Sequence, residues 1–237
     1  MKLDVLAIVA HPDDVELNCS GTLIKHVKAG HQVGIVDLTE GEMSTRGTVA
    51  TRRAETAKAS EIMGIHYRNN LGMADAYFEN NAENRHRIIQ EIRHTRPKIV
   101  ITNPPKDRHP DHGRAANLVK ESVFYAGLAK IATSHEGENQ KAWRPEKLFY
   151  FLQYTYLKPD LVVDISEHVE QKFEAIKAFK SQFKDGSEKD AQTLLSSPTF
   201  FDTIKARWLE MGAAGNCYAA EGFLAEQCPK PENLMDI

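Results

Sequence analysis

Leu3-Asp4-Val5-Leu6-Ala7-Ile8-Val9-Ala10, followed at once by His11-Pro12-Asp13-Asp14, is the stretch on which the reading of the fold turns. A short apolar run rich in Val, Leu and Ile, stopped by a His-Pro step, reads as a buried strand. Outward from it, strands and helices alternate. Residues 21–29 read as a helix that Gly30 stops, 33–38 as a second strand, 39–48 as a polar loop, and 50–63 as a helix ended by Gly64. Residues 65–71 make a third strand. Residues 84–95 place Ile88, Ile89 and Ile92 on one helical face until Arg96-Pro97 breaks it. Residues 98–102 are a fourth strand, and the prolines within 103–111 make that segment a loop ahead of a helix over 113–129. The polar stretch 135–144 reads as a mobile surface loop. Residues 148–153 and 161–165 are strands, Ser166 can cap a helix running to about Phe183, and a last helix spans roughly 200–211.

The chain has 237 residues, 41% hydrophobic and 27% charged, enough for one sizeable core and a single domain over 1–237. Its formal net charge of -3 lacks the basic excess of a nucleic-acid binder, so no nucleic acid is expected as a partner. No apolar run approaches membrane-spanning length, so no membrane partner is expected either. The apolar stretch before His11 is too short for a secretory signal and carries Asp4, which points to a cytoplasmic protein. Cys19, Cys217 and Cys228 are odd in number and form no CxxC pair, which argues against a disulfide framework or a thiolate zinc site.

Alternating strands and helices imply an α/β fold with a mostly parallel sheet. In the doubly wound order 3-2-1-4-5, strand 1 lies beside strand 4, and ligands bind at the carboxyl ends of that pair. The densest chemistry of the sequence falls there: His11-Pro12-Asp13-Asp14 after strand 1, and Asp107-Arg108-His109-Pro110-Asp111-His112 after strand 4. Either segment alone is compatible with turn chemistry; both at adjacent strand ends suggest a metal site. A catalytic zinc takes three ligands from His and Asp or Glu and leaves one position for water, whose pKa it lowers to about 7. His11, Asp14 and His112 supply such a set. Asp13, beside a ligand, can serve as the base for the water. His109 as an imidazolium could stabilise an oxyanion or donate to a departing amine, and Asp111 could orient a ligating histidine.

Ala10-His11-Pro12-Asp13-Asp14-Val15-Glu16 together with His109-Pro110-Asp111-His112 resembles the LmbE-like (PIG-L) family of zinc deacetylases, and the likeness covers nearly the whole chain. Segments 37–42, 45–48, 70–75, 164–166, 181–183 and 220–223 are most similar to its N-acetylglucosaminyl-malate deacetylase branch, of bacillithiol biosynthesis. The resemblance implies a Rossmann-like three-layer sandwich and zinc (Zn2+) on His11, Asp14 and His112. It also implies Asp13 as base, His109 as its charged partner, a small-molecule sugar conjugate as substrate, and a homo-oligomer. One departure is visible: where some relatives carry a tyrosine that reaches the reacting carbonyl, this chain has Pro198-Thr199-Phe200-Phe201.

A malate aglycone would need cations. Arg46, Arg52, Arg53 and Arg108 lie in or just after the relevant loops, and the family likeness favours Arg52, with Arg46 second. Glu42 and Ser44 are candidates for sugar hydroxyls. The remaining histidines lack ligand spacing, and Cys19 reads as a small buried hydrophobe. Two other classes stay open: a phosphoesterase, which commonly uses two metals, and a non-enzymatic binding module, against which the missing GxGxxG cradle speaks.

Overall fold

A computed structural model describes residues 1–183, 193–230 and 233. Its centre is a seven-stranded sheet in the order β3-β2-β1-β4-β7-β9-β8. The strands are β1 (Val5–Val9), β2 (Val33–Thr39), β3 (Tyr67–Met73), β4 (Ile99–Thr102), β7 (Lys147–Phe151), β8 (Leu161–Asp164) and β9 (Ala220–Ala225), with a separate hairpin of β5 (Ser134–His135) and β6 (Glu138–Asn139). The first five strands in that order, β3-β2-β1-β4-β7, are parallel, so the doubly wound order expected from sequence is present. β9 then runs antiparallel to both β7 and β8.

All five residues of β1 are buried, and their alternation divides them between two cores. Leu6 and Ile8 pack with Val36, Ile88, Ile92 and Val119 on one side. Val5, Ala7 and Val9 pack with Leu23, Ile24, Met63 and Ala175 on the other. The first side is covered by α4 (Ala82–Thr95) and α5 (Pro110–Ala126); the second by α2 (Ser20–Lys28), α3 (Val49–Met63) and α6 (Val169–Lys177). The result is a three-layer sandwich. α3 buries an unusual stripe, Arg52, Glu55, Ala59 and Met63, whose polar half faces the carboxyl ends of the strands.

Several boundaries differ from the sequence reading. A short α1 (Asp14–Asn18) precedes α2. α5 starts at Pro110 and not at 113, because proline is well suited to the first helical position and His109 Nδ1 accepts the Asp111 N–H as a cap. The stretch read as a mobile loop over 135–144 contains the β5–β6 hairpin, turned at Glu136 and Gly137, both with positive φ. The helix expected to reach Phe183 is divided into a turn at Ser166–His168, α6, and α7 (Lys180–Phe183). The break lets Ser181 and Gln182 bond Glu55 on α3 and the Arg46 carbonyl. The last helix, α8 (Phe200–Ala214), extends past 211. β9 went unread because Glu221 and Gly222 interrupt its apolar run; Glu221 is tolerated there because it pairs with the fully buried Lys172. Among the described residues no helix is long and apolar enough to cross a membrane.

Candidate active site

The carboxyl ends of β1, β2 and β4 are laced together. Ala10 N–H donates to Asn103 Oδ1 at 2.9 Å, and the Ala10 carbonyl accepts from the Thr39 N–H and hydroxyl. The chain then turns sharply. Asp13 has φ 129, a conformation that costs about 1–3 kcal/mol and must be held by its surroundings. Arg52 holds it: Nη1 donates to the Pro12 carbonyl at 2.7 Å and to Asp13 Oδ2 at 3.1 Å, while Nη2 donates to Ser44 Oγ.

His11, Asp14 and His112 converge. His11 Nδ1 lies 3.5 Å from Asp14 Oδ2, and His112 Nε2 lies 3.2 Å from Asp14 Oδ1. The other nitrogen of each ring is held by carboxylates. His11 Nε2 is 3.1 Å from Asp75 and 3.3 Å from Asp111, and His112 Nδ1 is 2.6 Å from Asp107. This is how ligating imidazoles are fixed in tautomer and orientation. Asp14 is steadied by the His11 N–H, by Asn103 Nδ2 at 2.9 Å and by Gln153 Nε2 at 2.7 Å.

Burial opposes charge on His112, but Asp14 and Asp107 outweigh it and raise its pKa to about 9. His11 is likewise desolvated, yet Asp111, Asp14 and Asp75 raise it well above its ordinary value. Surroundings that force protons onto two imidazoles favour positive charge between them, and a cation meets that demand. Among the described residues the triads whose donor atoms all lie within 4.8 Å of one another are His11–His109–His112 and His11–Asp75–Asp111, whereas His11, Asp14 and His112 meet pairwise through Asp14. Asp111 does not line the cleft, and its oxygens already accept from Ala76 N and Arg114 Nη1.

Burial pushes the Asp13 carboxyl up to about 7, against the pull of Arg52. His109 is lowered, by burial and then by His11 and His112, which favours the neutral ring over the imidazolium expected from sequence. Because its Nδ1 accepts the Asp111 N–H, the proton of that neutral ring sits on Nε2, available as a donor.

The centre opens into a cleft of about 430 Å³ lined by His11, Asp13, Asp14, His109 and His112 on one side and by apolar Leu17, Met43, Leu194, Phe200 and Ile204 elsewhere. Of the substrate candidates, Arg46, Arg52 and Ser44 line it, Arg52 with its guanidinium committed to Asp13. Glu42 is outside the lining and accepts the Asp75 N–H instead. Arg53 is exposed and pairs with Glu40. Phe200 lines the cleft without a hydroxyl. Sequence reasoning did not assign Asn103, Gln153, Asp75 or Asp107. A polar side chain just past a buried strand, in a doubly wound sheet, was the signal that could have found Asn103 and Gln153.

A family model described as PIG-L, GlcNAc-PI de-N-acetylase, matches residues 6–123. The chain is 34% identical to the diacetylchitobiose deacetylase of Thermococcus kodakarensis over 191 residues, 76% of this chain and 70% of that one. It is 29% identical to a probable N-acetyl-alpha-D-glucosaminyl L-malate deacetylase 2 of Bacillus anthracis, over 76% of this chain and 81% of the relative. The fold is similar to the crystal structure of a conserved protein of Thermus thermophilus, with a TM-score of 0.86 at 34% identity over 98% of both chains.

Proposed function

This chain belongs to the PIG-L (LmbE-like) family of de-N-acetylases, and within it we propose a zinc-dependent deacetylase that acts on N-acetylglucosaminyl-malate. The observation that carries the reading is a buried carboxylate, Asp13, held beside the His11–Asp14–His112 trio by Arg52 on the wall of an open cleft. Two imidazole nitrogens and a carboxylate, each backed by hydrogen-bond partners, suit zinc. A zinc ion on them would supply Lewis-acid polarisation of the amide carbonyl and a water that ionises near neutral pH.

The chain's own residues supply the rest. Asp13 accepts a proton from the attacking water as the new C–O bond forms. It then delivers that proton to the amide nitrogen as the C–N bond breaks, releasing acetate and a free amine. A carboxyl with a pKa near 7 can serve in both directions. The Nε2–H of His109 donates to the oxygen on which charge develops. Arg52 keeps Asp13 in its strained conformation and aimed at the cleft.

The malate aglycone is supported by the Bacillus anthracis relative and by the arginines of the cleft. The higher identity to a diacetylchitobiose deacetylase favours a second reading, a neutral chito-disaccharide. Zinc-loaded protein given N-acetylglucosaminyl-malate, diacetylchitobiose and free N-acetylglucosamine separates the two by kcat/KM for acetate release. Preference for the malate conjugate supports the proposal, preference for the disaccharide replaces its substrate, and no acetate from any of the three overturns it. A cytoplasmic location and a homo-oligomer belong to the same proposal.

A further inference from the structure

Gln182 is 138 positions from Ser44 in the chain, yet the two side chains meet on the wall of the cleft. The buried Gln182 amide clamps the loop after β2. Its Nε2 donates to the Arg46 carbonyl at 3.0 Å and to Ser181 Oγ at 3.0 Å, and its Oε1 accepts the Ser44 hydroxyl at 3.1 Å. Ser181 is fixed in turn by Glu55 of α3, which accepts its N–H at 2.6 Å and its hydroxyl at 2.8 Å. Gly47 has φ 77, and a Cβ there would lie 2.8 Å from Ser181 Oγ, a close approach of loop and helix that glycine alone permits.

The protons of these bonds run in one direction. A carbonyl accepts and never donates, so Arg46 takes an amide N–H and the Gln182 oxygen must face Ser44. Ser44 has a single hydroxyl proton, directed at that oxygen, and so presents a lone pair to Arg52 Nη2 at 3.1 Å. Arg52 only donates. With Nη2 held by Ser44 and Cζ lying 5.9 Å from the centre of the Phe179 ring, Nη1 is aimed at the Pro12 carbonyl and at Asp13 Oδ2. Asp13 keeps its φ of 129 only while that hold lasts.

We infer that Gln182 is a positioning residue for the deacetylation: through Ser44 it fixes the Arg52 guanidinium, and through Arg52 it keeps Asp13 aimed at the cleft. The inference rests on Asp13 as the base in the deacetylase reading above. It gives α7, a helix of four residues, the same relation to the base that Asp107 has to His112.

The test compares zinc-loaded wild type, Gln182→Leu, Gln182→Glu, Ser44→Ala and the Ser44→Ala/Gln182→Leu double variant on the best of the three substrates named above, with zinc content and Tm measured for each. Leucine keeps the bulk and removes both ends of the amide. Its kcat is expected to fall at least about tenfold, the scale of a hydrogen bond to a charged group, with KM within about threefold of wild type and zinc content unchanged. Gln182→Glu keeps an acceptor for Ser44 and recovers part of kcat. Bonds in series fail together, so the double variant falls no more than about threefold below the slower single variant, whereas independent losses would multiply. A rise in KM with kcat unchanged would make Gln182 a substrate contact. Losses that multiply would make the two residues independent, and a kcat within about twofold of wild type would leave Gln182 without a hold on the base. Each of these overturns the inference and leaves the deacetylase standing. Where Gln182→Leu does not fold, Gln182→Ala takes its place under the same criteria. If wild type releases no acetate, the deacetylase reading fails, and crystal structures decide the hold of Gln182 on Asp13 apart from it. Arg52 Nη1 drawn out of hydrogen-bond reach of Asp13 in Gln182→Leu upholds that hold, and a retained contact at the wild-type 3.1 Å overturns it.

Discussion

Replacing Asp107 by Asn tests whether His112 is a ligand presented by its neighbours. Asp107 accepts from three directions, His112 Nδ1 at 2.6 Å and the N–H groups of Tyr154 and Thr155. Asparagine keeps the shape, but only one end of its amide accepts. With its oxygen toward His112, the NH2 group faces two backbone donors. Turned the other way, the NH2 group donates to Nδ1 and forces the imidazole proton onto Nε2, the nitrogen that faces Asp14. Either orientation disables the support. Loss of such a partner lowers metal affinity by about 10–100-fold, or about 1.4–2.7 kcal/mol. Zinc competition against a chromophoric chelator measures the change, with thermal denaturation to confirm that the variant is folded. An affinity within about twofold of wild type, on folded protein, would refute the reasoning, since Asp107 would then have no hold on a ligating imidazole.

Asp13→Asn should retain about one zinc per chain while acetate release falls by at least about a hundredfold, the scale of general base catalysis; near-normal turnover would remove Asp13 from its role. Lys172→Met leaves the buried Glu221 without its cation, although Gly21 and Thr22 N–H still reach it. Breaking such a pair costs about 3–5 kcal/mol, read as a fall in Tm of about 6–20 °C, and a loss under about 1 kcal/mol would contradict the assignment. In the metal-free protein His112 binds its proton more tightly folded, with a pKa of about 9, than unfolded. Its contribution to stability is therefore complete below the unfolded value and lost as pH rises through about 9. Denaturant titrations of the metal-free protein should show that decline, and zinc affinity should rise over the same window as the proton leaves. A zinc affinity flat between pH 6.5 and 9 would count against His112 as ligand.

Both segments that carry the candidate ligands were legible because they interrupt unmistakable strands. An apolar run such as Val5–Val9 admits little but a buried strand, and the doubly wound order then brings its end beside that of Ile99–Thr102. The side chains that bond the candidate ligands were not legible. Asp75 meets His11 across 64 residues, so no local pattern marks it, and Gln153 meets Asp14 across 139, so its position past a strand does not reveal its partner. Arg52 and Lys172 sit on helices, where a cation ordinarily reads as surface. Each is buried because one distant carboxylate, Asp13 or Glu221, accepts it. The same long-range pairing hid β9 and ties Arg52, which also lines the cleft, to Asp13. The start of α5 at Pro110 was readable in hindsight from the His-Pro-Asp-His order, since it combines a cap with a proline at the first helical position.

The most direct test of the whole account is crystallographic: anomalous diffraction at the zinc edge from zinc-loaded protein. The account predicts one ion per chain, bonded to His11 Nδ1, an Asp14 oxygen and His112 Nε2, with Asp13 outside the coordination sphere and facing the cleft. An ion held by His11, Asp75 and Asp111, or no ion between the two imidazoles, would contradict it.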